Sequence, residues 1–266
     1  MGHVEVDGVR LYYETAGSGP QAVVLSHSFL VDHSQFAGQF EALDDYRVIA
    51  YDHRDHGRSD RVGTAYDLDA LVRDAEGLID ALEAAPCHFV GLSTGGFVGM
   101  RLALRTPQRL RSLTLMDTSA ESEPLLKLGK YRALFTLLRL VGTRPLQGRA
   151  MREMFSTSFL RDVDRQDEVA RWRERIVKND PAALVRFGNA IFDRDDIVEQ
   201  LRHLDLPTLV IVGEHDRPQP LPRARTIVDA IPGAELEVIP DAGHLSTIEQ
   251  PEAVNEVLLP FIRAHS

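Results

Sequence analysis

Five short apolar runs constrain the fold of this chain more than any other feature. Ala22 to Leu25, Arg47 to Tyr51, Cys87 to Leu92, Leu110 to Met116 and Thr208 to Val212 are largely apolar throughout, without the strict polar alternation of a half-exposed strand. Such runs suit strands covered on both faces, and those occur in parallel sheets flanked by helices. The segments between them supply the helices. Leu68 to Leu82 places Leu68, Leu71, Val72, Ala75, Leu78, Ile79 and Leu82 on one helical face, with Asp67 or Asp69 near its start. Phe97 to Leu104, Arg223 to Ile231 and Pro251 to Ile262 read as helices, the last with proline in its first turn. Leu236 to Ile239 reads as a further short strand. The chain opens as a hairpin, in which Val4 and Val6, an Asp7-Gly8 turn and Val9 to Tyr13 follow one another. The expected class is α/β, with a mostly parallel central sheet flanked by helices.

One stretch breaks the alternation. Residues 119–204 hold no strand-like run. Helical patterns fill them instead, over Leu125 to Val141, Met151 to Phe159, Val169 to Val177 and Ala182 to Phe192. The expected organisation is a core of residues 1–118 and 205–266 with a helical cap, 119–204, inserted over the carboxyl ends of the strands. That edge is where open α/β sheets bind ligands. Most of the cap's large apolar residues (Leu134, Phe135, Leu138, Met154, Phe155, Phe159, Phe187, Phe192) are expected to bury against the core, with a few lining a pocket.

The 266 residues can bury a large core, and a net charge of −10 argues against nucleic acid as a partner. The single cysteine, Cys87, excludes an internal disulfide and is expected to be a small core residue. The amino-terminal residues lack an apolar signal core, and no stretch approaches the roughly 18 apolar residues of a membrane span. The expectation is a cytoplasmic protein with no membrane partner. The sequence admits a homodimer and leaves the oligomeric state open.

The chemistry concentrates at three places. Gly91-Leu92-Ser93-Thr94-Gly95-Gly96 follows an apolar strand and opens a helix, so Ser93 sits on a sharp strand-to-helix turn with its hydroxyl pushed into the open. A side chain at the flanking glycines would strike neighbouring backbone. A serine hydroxyl is a poor nucleophile at neutral pH and needs a base. His244, in Asp241-Ala242-Gly243-His244 after a strand, is placed to reach the same sheet edge. Asp216, after the strand Thr208 to Val212, is placed to hold that histidine's tautomer and stabilise its charged form. Glu214 and Asp117 compete for the acid's role, and His215 is expected to face solvent or pack locally. An oxyanion hole needs two backbone N–H donors. Thr94 and Phe29 are the candidates, Phe29 from the loop Ser26-His27-Ser28-Phe29-Leu30. The pairs His53/His56 and His27/His33 lack further ligands nearby in sequence, so no metal is expected. No glycine-rich dinucleotide fingerprint follows the early strands, so no cofactor is expected either.

The order Ser93, Asp216, His244, with Leu25 to Phe29, Tyr51 to Ser59, Gly91 to Gly96, Gly213 to Asp216 and Asp241 to His244, resembles the α/β-hydrolase superfamily over nearly the whole chain. The resemblance implies an α/β-hydrolase fold with a helical cap, a Ser-His-Asp triad and no cofactor. Within it the chain is most similar to 3-oxoadipate enol-lactonases and related lactonases and esterases. That implies a small-molecule ester or lactone substrate and, for a carboxylate-bearing one, a cation in the pocket. Arg132, Arg139, Arg144 and Arg186 are the cap's candidates, each equally readable as a solvated helix face. Two positions depart from the family pattern. The usual His-Gly of the early loop is His27-Ser28, which bears on the oxyanion loop. The usual Arg-Gly-His-Gly-x-Ser turn carries Asp55 at its first glycine, a departure read as structural. Cofactor-free perhydrolases and carbon–carbon bond hydrolases keep the same triad, and a ligand receptor on this fold would keep it for binding. These are the alternatives. Haloalkane dehalogenases and epoxide hydrolases carry aspartate at the elbow, which Ser93 excludes.

Overall fold

The apolar runs form the middle of an eight-stranded sheet in the computed structural model, which describes residues 1–266. In chain order the strands are β1 (Gly2–Val6), β2 (Val9–Ala16), β3 (Ala22–Ser26), β4 (Arg47–Tyr51), β5 (Cys87–Leu92), β6 (Leu110–Met116), β7 (Thr208–Gly213) and β8 (Glu235–Ile239). Their spatial order is β1-β2-β4-β3-β5-β6-β7-β8. The opening hairpin is antiparallel and every pair from β4 to β8 is parallel.

Helices cover both faces. They are α1 (Ala37–Ala42), α2 (Leu68–Ala81), α3 (Thr94–Arg105), α4 (Leu125–Val141), α5 (Gln147–Met154), α6 (Thr157–Arg161), α7 (Gln166–Lys178), α8 (Pro181–Phe192), α9 (Val198–Leu201), α10 (Leu221–Ala230), α11 (Ser246–Glu249) and α12 (Pro251–Ala264). Side chains alternate along each strand, so β3 gives Ala22 and Val24 to the α2–α3–α10 side and Val23 and Leu25 to the α1–α12 side. Both sets are buried, which is why the run shows no polar alternation.

Local chemistry sets the boundaries. Asp67 accepts the Ala70 N–H at 3.0 Å and starts α2. The pattern expected as one helix over Met151 to Phe159 is two. The chain turns extended at Phe155–Ser156, and Ser156 Oγ accepts the Phe159 N–H at 3.1 Å, restarting the helix as α6. The helix after β5 begins at Thr94 rather than Phe97, because Gly95 and Gly96 lie inside its first turn. A Cβ on Gly95 would collide with the Ser26 carbonyl of β3.

The topology fixes where a site can form. β3 pairs with β4 on one side and β5 on the other, so the chain reverses direction across the sheet there and opens a crevice at the strand ends. The block α4–α9 leaves the sheet after β6, returns at β7 and lies over that crevice. Cys87 is buried in β5, where burial pushes its thiol up to about 12.

Candidate active site

Ser93 follows β5 with φ 53° and ψ −105°, a conformation rare for any residue but glycine. Its surroundings hold it there. The Ser93 N–H donates to the Met116 carbonyl of β6 at 2.8 Å, and the Ser93 carbonyl accepts from Thr118 Oγ1 at 2.8 Å and from the Phe97 N–H at 3.0 Å. The strained turn points Oγ into a cavity of about 330 Å³ beneath α4, lined also by Phe29 and His244.

His244 comes from the loop between β8 and α11. Its Nε2 lies 2.9 Å from Ser93 Oγ, and its Nδ1 lies 2.9 and 3.0 Å from the two carboxylate oxygens of Asp216. A carboxylate can only accept, so Nδ1 carries the proton and Nε2 is left to accept the serine hydroxyl. Burial lowers the pKa of His244, but the charge of Asp216 and the hydrogen bond to it outweigh burial and hold the imidazole above its ordinary value. Asp216 is fixed in turn by the Gln219 N–H at 2.9 Å.

The competing acids do other things. Glu214 is exposed and accepts the Asp241 N–H at 3.1 Å. Asp117 is buried at the end of β6, where it accepts the Gly213 N–H at 2.7 Å and bonds Ser246 Oγ at 2.6 Å. It joins the strand ends that carry Asp216 and His244 without touching the imidazole. Burial and the nearby charge of Asp216 raise its carboxyl well above the usual range. His215 is half exposed beside Asp241.

Thr94 opens α3, where the first backbone N–H groups have no acceptor within the helix and the helix dipole favours negative charge. Phe29 lies in the loop after β3. The Ser28 N–H is taken by Gln35 Oε1 at 2.9 Å, and His27 bonds the Ser28 carbonyl through Nδ1 and the His53 N–H through Nε2. The left-handed residue of this loop is Leu30, with φ 72°, so the loop tolerates serine where the family pattern has glycine. The Phe29 ring stacks on Phe187 of α8 at 5.8 Å and edges onto His56. His27, His53 and His56 form a buried aromatic group beneath it, and burial lowers all three, His56 to about 3.

The second departure has a partner. Asp55 sits at φ 66° with its carboxylate accepting from the Val62 N–H, from Tyr66 Oη and from both Nε and Nη2 of Arg186 at 3.1 and 2.7 Å. Arg186 belongs to α8, so this aspartate ties the turn after β4 to the helical block. Arg186 is thereby spent on an internal ion pair. Arg132, Arg139 and Arg144 are exposed, and none of the four lines the cavity. The cations that do line it are Lys127, Lys130, Arg149 and Arg217. Its wall is apolar and includes Leu134, Phe135, Leu138, Met154 and Phe192, whereas Phe155, Phe159 and Phe187 are buried in the core.

A further buried acid escaped the sequence. Glu249, at the end of α11, accepts the Gly243 N–H at 3.1 Å and the Ser156 N–H at 2.9 Å, and Arg165 binds the Glu249 and Ile248 carbonyls. It joins the loop of His244 to the break between α5 and α6. Oxygen and imidazole donors gather at Asp32, His33 and Asp52 and at Glu214, His215 and Asp241. In the first group they are committed to His33–Asp52 and Asp32–Arg175 pairs, and the second is exposed.

A family model described as alpha/beta hydrolase fold matches residues 21–251. Among curated proteins, 3-oxoadipate enol-lactonase 2 of Acinetobacter baylyi is 29% identical over 255 residues, 94% of this chain and 92% of that protein. Among solved structures, a thermophilic esterase from Thermogutta terrifontis superposes with a TM-score of 0.93 at 28% identity over the full length of both chains. The enol-lactonase from Burkholderia xenovorans LB400 superposes with a TM-score of 0.91 at 29% identity, covering 98% of this chain and 99% of that one.

Proposed function

Because this chain belongs to the alpha/beta hydrolase family, we propose that it is a cofactor-independent serine hydrolase that cleaves carboxylic esters or lactones through an acyl-enzyme on Ser93. The observation that carries this reading is the unbroken line from Asp216 through both nitrogens of His244 to Ser93 Oγ, with every link at 2.9–3.0 Å. Ser93 Oγ attacks the acyl carbon while Nε2 of His244 takes its proton. Asp216 stabilises the imidazolium. The oxyanion lies against the N–H groups of Thr94 and Phe29, each such donor contributing about 3 kcal/mol to the transition state. His244 then protonates the departing alkoxide, and water activated by the same imidazole releases the acid.

Residues 119–204 act as the cap. Their apolar wall suits a hydrocarbon acyl or alcohol group, and Lys130 and Arg149, which make no ion pair, leave positive charge free at the cavity for an anionic end of the substrate. The resemblance to enol-lactonases favours a carboxylate there.

A fluorophosphonate probe tests the chemistry. Rapid labelling of the intact protein that disappears in Ser93→Ala supports it, and an unlabelled wild type refutes it in favour of a receptor. Parallel panels of p-nitrophenyl esters and lactones, the latter followed by proton release, then rank the two substrate classes.

A further inference from the structure

The chain exposes eight large apolar side chains, and five of them (Leu125, Leu126, Leu137, Leu140 and Val141) stand on α4. The others, Met1, Val163 and Val238, are scattered. Leu125, Leu126 and Leu140 are 86%, 75% and 78% exposed and stand together on one helix rather than singly. At about 100° per residue, Leu125, Leu126, Ala133, Leu137 and Leu140 share one arc of roughly 120° on the outer face. Gly129 and Thr136 complete that arc, and no charge falls within it. Lys130 borders it on one side and Arg132 and Arg139 on the other. The helix contains four basic residues and no acidic one, in a chain whose net charge is −10.

We infer that α4 lies on the surface of an anionic phospholipid bilayer, its outer leucines in the acyl boundary and its flanking arginines at the phosphates. An apolar face bordered by basic residues is the pattern of a helix lying in the interface plane. The basic charge continues past α4 in Arg144, Arg149 and Arg152, while Arg132 is paired with Asp193 at 3.3 Å. A second copy of the chain fits the arc poorly. A two-fold contact would set Lys130, Arg132 and Arg139 against their own equivalents with no acid on the helix to answer them. The arc, about 25 Å by 10 Å, also offers on the order of 250 Å², against the roughly 800 Å² that a stable interface takes from each partner. No helix is long and apolar enough to cross a membrane, and lying on a surface requires none that is. The inner face of α4 walls the cavity with Tyr131, Leu134, Phe135 and Leu138, so a chain seated by its outer arc has the cavity one helix diameter, about 10 Å, from the lipid. The docking itself does not rest on the chemistry at Ser93.

Co-sedimentation of the full chain with vesicles of phosphatidylglycerol and phosphatidylcholine tests this, with phosphatidylcholine alone as the contrast. Binding should require the anionic lipid, weaken as salt is raised, and fall more than about tenfold in Leu126→Asp/Leu140→Asp. Arg139→Glu, which breaks no ion pair, should weaken it through charge alone. Both variants lie outside the cavity, so unchanged hydrolysis of a short soluble ester and an unchanged circular dichroism spectrum show that the fold is intact. Failure to bind anionic vesicles at low salt overturns the proposal, as does equal binding by the leucine variant. A dimer seen by light scattering that dissolves in that variant also overturns it and gives the arc to a second copy.

Discussion

The carboxyl edge of the sheet and the helical block above it treat polar groups in opposite ways. At the sheet edge Ser26, His27, Ser93, Asp117, Asp216 and His244 are buried, and each meets a partner from a distant part of the sequence. In the block the inner surface is apolar and one helix turns leucines to solvent. Buried polar networks tolerate one geometry, because any unmet donor or charge there costs more than it does in water. Apolar walls tolerate many side chains of similar volume. On the proposed chemistry the difference separates bond making from substrate choice: the edge can keep one arrangement while the wall changes. Of the contacts that join the halves, Asp55 with Arg186 and Glu249 with Ser156 employ buried carboxylates.

The sharpest way to break this contrast is at the edge. Ser93→Ala and His244→Ala should each lower kcat by about 10⁵–10⁶, measured on a p-nitrophenyl ester. A comparable loss from a wall residue would erase the distinction. Asp216→Asn should cost about 10³–10⁴ in kcat and should also move the pH profile. In the proposed mechanism the neutral imidazole is the working form, and Asp216 raises its pKa against burial. Removing that charge lowers the pKa, so the acid limb of kcat/KM should shift to lower pH. A limb that stays in place would show that Asp216 does not govern His244.

A joint between the halves should have an intermediate effect. Arg186→Ala leaves the Asp55 carboxylate buried without its cation and should cost about 2–3 kcal/mol in denaturant unfolding. Asp55→Gly in the same background should recover much of that loss, because the charge leaves and glycine suits φ 66°. Additive losses would show the pair to be uncoupled. The smallest effect belongs to the wall. Leu134→Ala should change the preference between short and long acyl chains by about tenfold while kcat on a short ester holds within about twofold.

The edge was legible in the sequence because an apolar run ends where its strand ends. Ser93, Asp216 and His244 each lie within a few residues of such an end, and the structure brings the three together. The helical block was legible as helices and opaque in orientation. α4 carries leucines around most of its circumference, so periodicity leaves its rotation undefined. That is why Arg132 and Arg139 stood as candidates for the cavity, while Lys130, which lines it, was not among them. Arg186 pairs with a residue 131 positions away, and Glu249 meets Ser156 across 93, contacts that no local pattern encodes. The break at Ser156 hid for a smaller reason: one capping serine inside a helical pattern outweighs the periodicity around it. Short helices such as α1 and α11, of six and four residues, leave too few turns for a period to register.

β6 and β7 are neighbours in register, with Met116 opposite Ile211, and the Asp117 N–H donates to the Ile211 carbonyl at 2.8 Å. Because the two strands are parallel, the chain leaves β6 at one edge of the sheet and enters β7 at the other. The helices α4–α8 themselves depart and return where the Ile197 N–H donates to the Ala120 carbonyl at 3.0 Å, a single doorway about 5 Å wide. A foreign insert needs only to match that doorway for the strands to stay aligned. It must also bring its own donor for Glu249, since a carboxylate left with the Gly243 N–H alone would loosen the loop of His244 and the base it was meant to leave alone. Grafting experiments on this scaffold thus have one entrance and one toll.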